Sequence, residues 1–140
     1  MTAKIIFRRL HNDECASVLP LVRQLRSHLD EAEFLRRLAL QETRGYELHA
    51  AIRDGVVVGL AGFRPVMTLA RGAHLHLDDL VVAEGLRSGG IGKALIGYAE
   101  GEARRRGLGK LFLDARQQAI PFYQREGYDF HHAPLMAKSL

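Results

Sequence analysis

The stretch Arg87-Ser88-Gly89-Gly90-Ile91-Gly92-Lys93 constrains the fold more than any other part of this chain, because of what flanks it. Ahead of it, Ala73 to Val82 reads as a strand. Behind it, Ile91, Ala94, Leu95, Tyr98, Ala99 and Ala103 recur on one helical face. That helix ends at Arg104-Arg105-Arg106-Gly107, where cations complement the carboxyl end of the helix dipole and glycine stops it. Leu111 to Leu113 reads as the next strand. Strand, glycine-rich turn, helix and strand in that order require a crossover, which predicts a parallel strand pair within a mixed sheet.

The rest of the chain supplies antiparallel partners and helical cover. Lys4 to Arg9 reads as a first strand. From Asn12 or Asp13 a helical pattern places Val18, Val22, Leu25 and Leu29 on one face, with Pro20 predicted to kink or restart it. A second helix begins after Asp30, with Glu33 three residues on in capping-box spacing, and Gly45 stops it. Tyr46 to Arg53 and Val56 to Phe63 are joined by Asp54-Gly55, the two-residue signal of a tight hairpin. Ala70-Arg71-Gly72 turns the chain into the strand from Ala73. A short helix through Phe122 to Glu126 and a last strand near Tyr128 to Ala137 complete an α+β (α/β) domain. No repeat or linker divides the chain, so residues 1–140 read as one domain.

Composition excludes several classes. With 47% hydrophobic and 26% charged residues the chain is neither disordered nor fibrous. No apolar run approaches the roughly 18 to 20 residues that span a bilayer, and the amino terminus lacks a signal peptide's pattern, so a cytoplasmic location is expected. The single cysteine, Cys15, excludes an internal disulfide, and its helical position reads as a buried small hydrophobe. The net charge of +4 is unevenly placed. From Glu84 to Lys110 six cations face three anions, whereas the remainder is nearly neutral. Arg104 to Arg106 come without interleaved aromatic residues, so nucleic-acid binding has little support.

Glycines in the 87–93 turn permit positive φ and close backbone approach, and the helix after them presents unpaired N–H groups at the positive end of its dipole. Together these make an anion site suited to a pyrophosphate. Two nucleotide motifs fail there. The NTPase phosphate loop needs glycine at Arg87 and Ser or Thr at Ala94, and a dinucleotide fingerprint starting at Gly90 needs glycine or alanine at Leu95.

What the turn resembles is the coenzyme-A signature of the GNAT superfamily of N-acetyltransferases: Arg or Gln, two residues, Gly, one residue, Gly or Ala, matched by Arg87, Gly90 and Gly92. Asp79-Leu80-Val81-Val82 is similar to the end of the family's fourth strand. Ala119 to Tyr128, with Phe122-Tyr123 and Gly127-Tyr128, is similar to its later motif. The chain departs from the family at Glu84, often Pro, at Ser88, often Gly, and near Arg116, often Asn; Arg116, Gln117 or Gln118 would replace that last contact.

The resemblance implies a mixed, mostly antiparallel sheet with a splayed parallel β4/β5 pair and about four helices. It implies acetyl-CoA as co-substrate and no metal, with acetyl passing directly to a primary amine in a ternary complex. The pantetheine amides would pair with backbone in the segment Leu80, Val81 and Val82, and the pyrophosphate would rest on N–H groups of Ser88, Gly89, Gly90, Ile91, Gly92 and Lys93, with Arg87 on the rim. Tyr123 would donate a proton to the leaving thiolate, and Asp78 or Asp79 would serve as base or amine anchor. Strand alternation lets one of the two reach the site unless a bulge intervenes; Asp78 shares the more polar face with His74 and His76. Those three also have a strand spacing compatible with metal, which direct transfer does not need. The acceptor is a small-molecule or peptide amine, and two carboxylates suit a cationic one. A non-catalytic CoA-binding module on the same fold is the other reading. Neither nucleic acid nor membrane is an implied partner, and since many relatives dimerise a homodimer fits the resemblance.

Overall fold

The computed structural model describes residues 4–87 and 89–140. Five strands form one sheet in the order β1-β2-β3-β4-β5: β1 (Ile5–Arg9), β2 (Glu47–Arg53), β3 (Val56–Thr68), β4 (Gly72–Val82) and β5 (Leu111–Leu113). The first three pairings are antiparallel and β4–β5 is parallel, as the crossover requires. Asp54 and Gly55 take φ of 53° and 74°, the two positive values that a tight hairpin turn demands.

The first helical pattern is interrupted where Pro20 predicts it. α1 (Asn12–Cys15) passes through a 3-10 turn, Ala16–Val18, into α2 (Leu19–Leu25), with Pro20 in the first turn, where its missing N–H costs nothing. α3 (Glu31–Glu42) is capped by Asp30, whose carboxylate accepts from the Glu33 N–H at 2.8 Å. The capping box is only half made, because the Glu33 carboxylate turns to Arg36 and Arg37 instead. α4 (Ile91–Arg105) crosses the opposite face, and α5 (Ile120–Arg125) follows β5. Helices α1 to α3 cover one face of the sheet with Leu10, Val18, Phe34, Leu38, Leu48 and Leu60; α4 covers the other with Ile91, Leu95, Ile96 and Ala99 against Phe63 and Leu75.

One predicted element does not form. Among the described residues no strand follows Leu113, and Tyr128 to Ala137 runs without strand pairing. Its apolar residues Phe130, Leu135 and Met136 are exposed, so the segment has strand-like composition but no hydrogen-bonded neighbour to fix it. Among the described residues no helix is long and apolar enough to cross a membrane.

Candidate active site

Two irregularities in β4 make the site. The pairing of β4 with β5 covers Leu75↔Leu111 to Leu77↔Leu113 and then stops, leaving the β5-side edge of residues 78–82 without a strand partner among the described residues. Across the other edge, Gly62 opposes Asp79 and Phe63 opposes Leu77, so Asp78 is the extra residue of a bulge. The bulge reverses side-chain parity. Leu75 and Leu77 before it pack toward α4, as do Leu80 and Val82 after it, while Val81 packs toward α1–α3. Asp78 and Asp79 thereby both reach the α1–α3 face, where both line the same two cavities. The choice that strict alternation poses between them does not arise.

Neither carboxylate is bare. Asp79 accepts from Arg26 Nε at 3.1 Å and from the Tyr46 hydroxyl at 2.6 Å. Asp78 is bonded by Arg64 through Nε at 2.8 Å and Nη2 at 3.3 Å, and Arg26 Nη2 donates to its carbonyl oxygen at 2.9 Å. Tyr46 is buried, and burial beside the Asp79 carboxylate pushes its hydroxyl well above the ordinary tyrosine range. Its hydroxyl lies where a Cβ on residue 62 would sit, 1.7 Å from that position, so only glycine fits there. None of Arg26, Tyr46 or Arg64 announces this role in the sequence: their partners stand 53, 33 and 14 residues away.

A cavity of about 520 Å³ runs along the free edge of β4 to the start of α4. Leu80, Val81, Val82, Arg87 and Gly92 line it, five of the ten predicted cofactor contacts, together with Tyr123. Gly90 is the N-cap of α4 with φ 83°, and among the described residues no side chain caps that helix's first turn, which holds Ile91, Gly92 and Lys93. An uncapped N-terminus at the end of a cleft fits a pyrophosphate by its own chemistry. Gly89 closes the turn by donating to the Leu86 carbonyl at 3.2 Å. Arg87 holds the rim through the Val82 carbonyl at 3.4 Å and Gln24 at 3.5 Å. Ser88 lies outside the described residues.

Tyr123, on α5, lines both this cavity and a larger one of about 1020 Å³ between β5 and the carboxyl-terminal segment. Among the described residues its hydroxyl has no hydrogen-bond partner, and desolvation raises it above the ordinary tyrosine range, so it stays protonated at neutral pH. Phe122 packs in the α4-side core and its ring would meet a Cβ on residue 92 at 3.4 Å. A third cavity, of about 740 Å³, lies between α2–α3 and β4. Asp114, just past β5, borders all three.

Other candidates fall outside the site. His74 is buried with Nδ1 3.0 Å from the Gly72 carbonyl, and His131 and His132 stack on each other in the exposed terminal segment. No group of three or more possible metal ligands occurs among the described residues. Cys15 is fully buried, and burial pushes its thiol up to about 11. Arg106 does more than finish a helix. It forms a fork on Glu47 at 2.9 and 3.0 Å, reaches Glu102 at 3.2 Å, and stacks over Phe63.

Residues 9–128 match the acetyltransferase (GNAT) family. The chain is 36% identical over 115 residues to the uncharacterized N-acetyltransferase YhdJ of Bacillus subtilis (strain 168), covering 79% of this chain and 81% of that protein. It is 31% identical over 118 residues to the glucosamine 6-phosphate N-acetyltransferase of Trypanosoma brucei brucei, covering 77% and 80%. Its fold is similar to that of a predicted acetyltransferase from Clostridium acetobutylicum solved with acetyl-CoA, with a TM-score of 0.80 over 96% of each chain at 16% identity.

Proposed function

Because the chain belongs to the acetyltransferase (GNAT) family, we propose that it transfers acetyl from acetyl-CoA directly to a primary amine in a ternary complex. The observation that carries this reading is the convergence, on one cleft, of the unpartnered β4 edge, the uncapped start of α4 and the free Tyr123 hydroxyl. Acetyl-CoA, when bound, supplies an acetyl group activated as a thioester.

The chain's own residues then have separable tasks. Backbone N–H and C=O groups of Leu80 and Val82 pair with the pantetheine amides, extending the sheet where β5 leaves off. The first turn of α4 and the 89–90 turn hold the pyrophosphate, with Arg87 fixing the rim. Tyr123 holds a proton for the departing sulfur, and the desolvation that keeps it protonated suits a donor and not a base. Asp78 and Asp79 face the acceptor. Each carboxylate has lone pairs beyond those its arginine occupies, so it accepts from the amine N–H, directly or through water.

Support for an amine acceptor comes from relatives that carry N-acetyltransferase names. The test is acetyl-CoA consumption against a panel of primary amines, with Tyr123→Phe beside the wild type. Turnover of the variant is expected to fall by at least about tenfold with acetyl-CoA affinity little changed. An unchanged kcat removes Tyr123 from the donor role, and acetyl-CoA binding without turnover on any amine removes the enzymatic reading.

A further inference from the structure

The acceptor side of the cleft is more cationic than its aspartates suggest. Five arginine side chains line the two cavities that Asp78 and Asp79 border, against three carboxylates. Two of those three, Asp78 and Asp79, are already engaged by Arg64 and Arg26. A polycation entering here would meet a guanidinium group in front of Asp78 and another in front of Asp79.

Two guanidinium groups with free donors stand where the cavities join. Arg116 follows β5 and lines both the acceptor cavity and the cofactor cavity; among the described residues its guanidinium has no ion pair or side-chain hydrogen bond. Arg26 comes from the opposite wall, after α2, and borders the same two cavities. Its Nε and Nη2 are spent on Asp79 and Asp78, while its Nη1 has no partner among the described residues. Beside them Asp114, 66% exposed, has among the described residues only the His76 imidazole, at 3.5 Å, as its ionic contact. The junction thus offers free guanidinium donors next to carboxylates with spare lone pairs. Planar N–H donors match a phosphate, phosphonate or carboxylate group, and the carboxylates match an amine.

We propose that the acceptor is a small amine that also bears an oxyanion, held by Arg116 and the free edge of Arg26 while its nitrogen lies by the aspartates. This rests on the acetyltransferase reading and names the class of acceptor that the same site takes. A neighbouring guanidinium also disfavours the ammonium form of the bound amine, so the neutral nucleophile becomes easier to reach.

The test uses matched pairs that differ in the anion: phosphoethanolamine with ethanolamine, β-alanine with β-alaninamide, and glucosamine 6-phosphate with glucosamine, plus 1,4-diaminobutane as a dication. At least one anionic member is expected to exceed its uncharged partner in kcat/KM by about tenfold or more, and Arg116→Gln to bring that ratio back toward one, chiefly through the acceptor KM. Preference for 1,4-diaminobutane, or equal use of both members in every pair, overturns the proposal. So does a rise in the acetyl-CoA KM of Arg116→Gln at an unchanged ratio, because Arg116 would then serve the cofactor. Calorimetric binding of the same amines to the CoA complex separates this proposal from the enzymatic one. Binding of an anionic member that weakens in Arg116→Gln, with no turnover, sustains the site and defeats the acetyltransferase reading, whereas no binding of any anionic member defeats the site.

Discussion

At the scale of single residues, the site depends on a hydroxyl placed against a missing Cβ. Tyr46 reaches Asp79 because residue 62 is glycine, and the buried O–H···O contact orients the carboxylate from below while Arg26 holds it from the side. Tyr46→Phe removes one hydrogen bond to a charged acceptor. Because Asp79 is partly open to water, the loss is expected at about 1 to 2 kcal/mol in urea unfolding. The acceptor KM should rise with it while the acetyl-CoA KM stays. An unaltered acceptor KM would mean that Arg26 alone orients Asp79. None of this was legible beforehand: Asp78 and Asp79 could be picked out as candidates from their place before the segment expected to hold the cofactor, but their partners lie just past α2, just before β2 and on β3. A sequence motif reports neighbours along the chain, and these contacts are set by how strands and helices stack.

At the scale of elements, the strand–turn–helix unit was the most legible part, because its determinants are local. A turn that must take positive φ selects glycine, and the helix after it selects an apolar stripe. Gly90 at φ 83° is the critical position. Gly90→Ala places a side chain in the left-handed region, at a cost of about 1 to 2 kcal/mol, and should raise the acetyl-CoA KM more than the acceptor KM, as initial-rate measurements would read. The bulge in β4 was less legible. Alternation predicts one inward aspartate; the extra residue at Asp78 presents both, and a bulge is a property of a strand pair, which no single strand's sequence displays. The missing last strand has the same cause, since Tyr128 to Ala137 has the composition of a strand without a hydrogen-bonded neighbour.

At the scale of the whole molecule, the sheet separates two jobs. The α1–α3 face carries the candidate acceptor site, and the α4 face carries a polar clamp that ties the far end of α4 to β2. There His49, buried, sits with Nε2 2.9 Å from Glu47 and Nδ1 2.6 Å from the Tyr98 hydroxyl, while Arg106 grips Glu47. A carboxylate only accepts, so Nε2 carries the proton of the neutral ring and Nδ1 accepts from Tyr98. Burial holds the His49 imidazole below its ordinary range despite the raising effect of Glu47. Burial opposes the charged Glu47 as well, but hydrogen bonds from Arg106 and His49 outweigh it and hold that carboxyl below the usual range. Both groups bind protons less readily folded than unfolded. Stability is therefore expected to fall as pH drops below about 6.5, where the unfolded histidine protonates, and to fall again below about 4.3 through Glu47. Urea midpoints of wild type and His49→Gln between pH 7.5 and 5 check this: the variant starts lower and shows the flatter profile, and parallel profiles would place the acid sensitivity elsewhere. By itself the sequence determined the order of elements as far as the short helix after β5, the parallel β4–β5 crossover, the hairpin at Asp54-Gly55 and the glycine-rich turn before α4, because each follows from backbone chemistry within a few residues. Only the tertiary structure decided that both aspartates share one face, that arginines stand in front of them, that Arg106 clamps a helix to a strand and that the last segment stays unpaired. Those outcomes depend on register and on side chains brought together from distant parts of the chain, which no local pattern encodes.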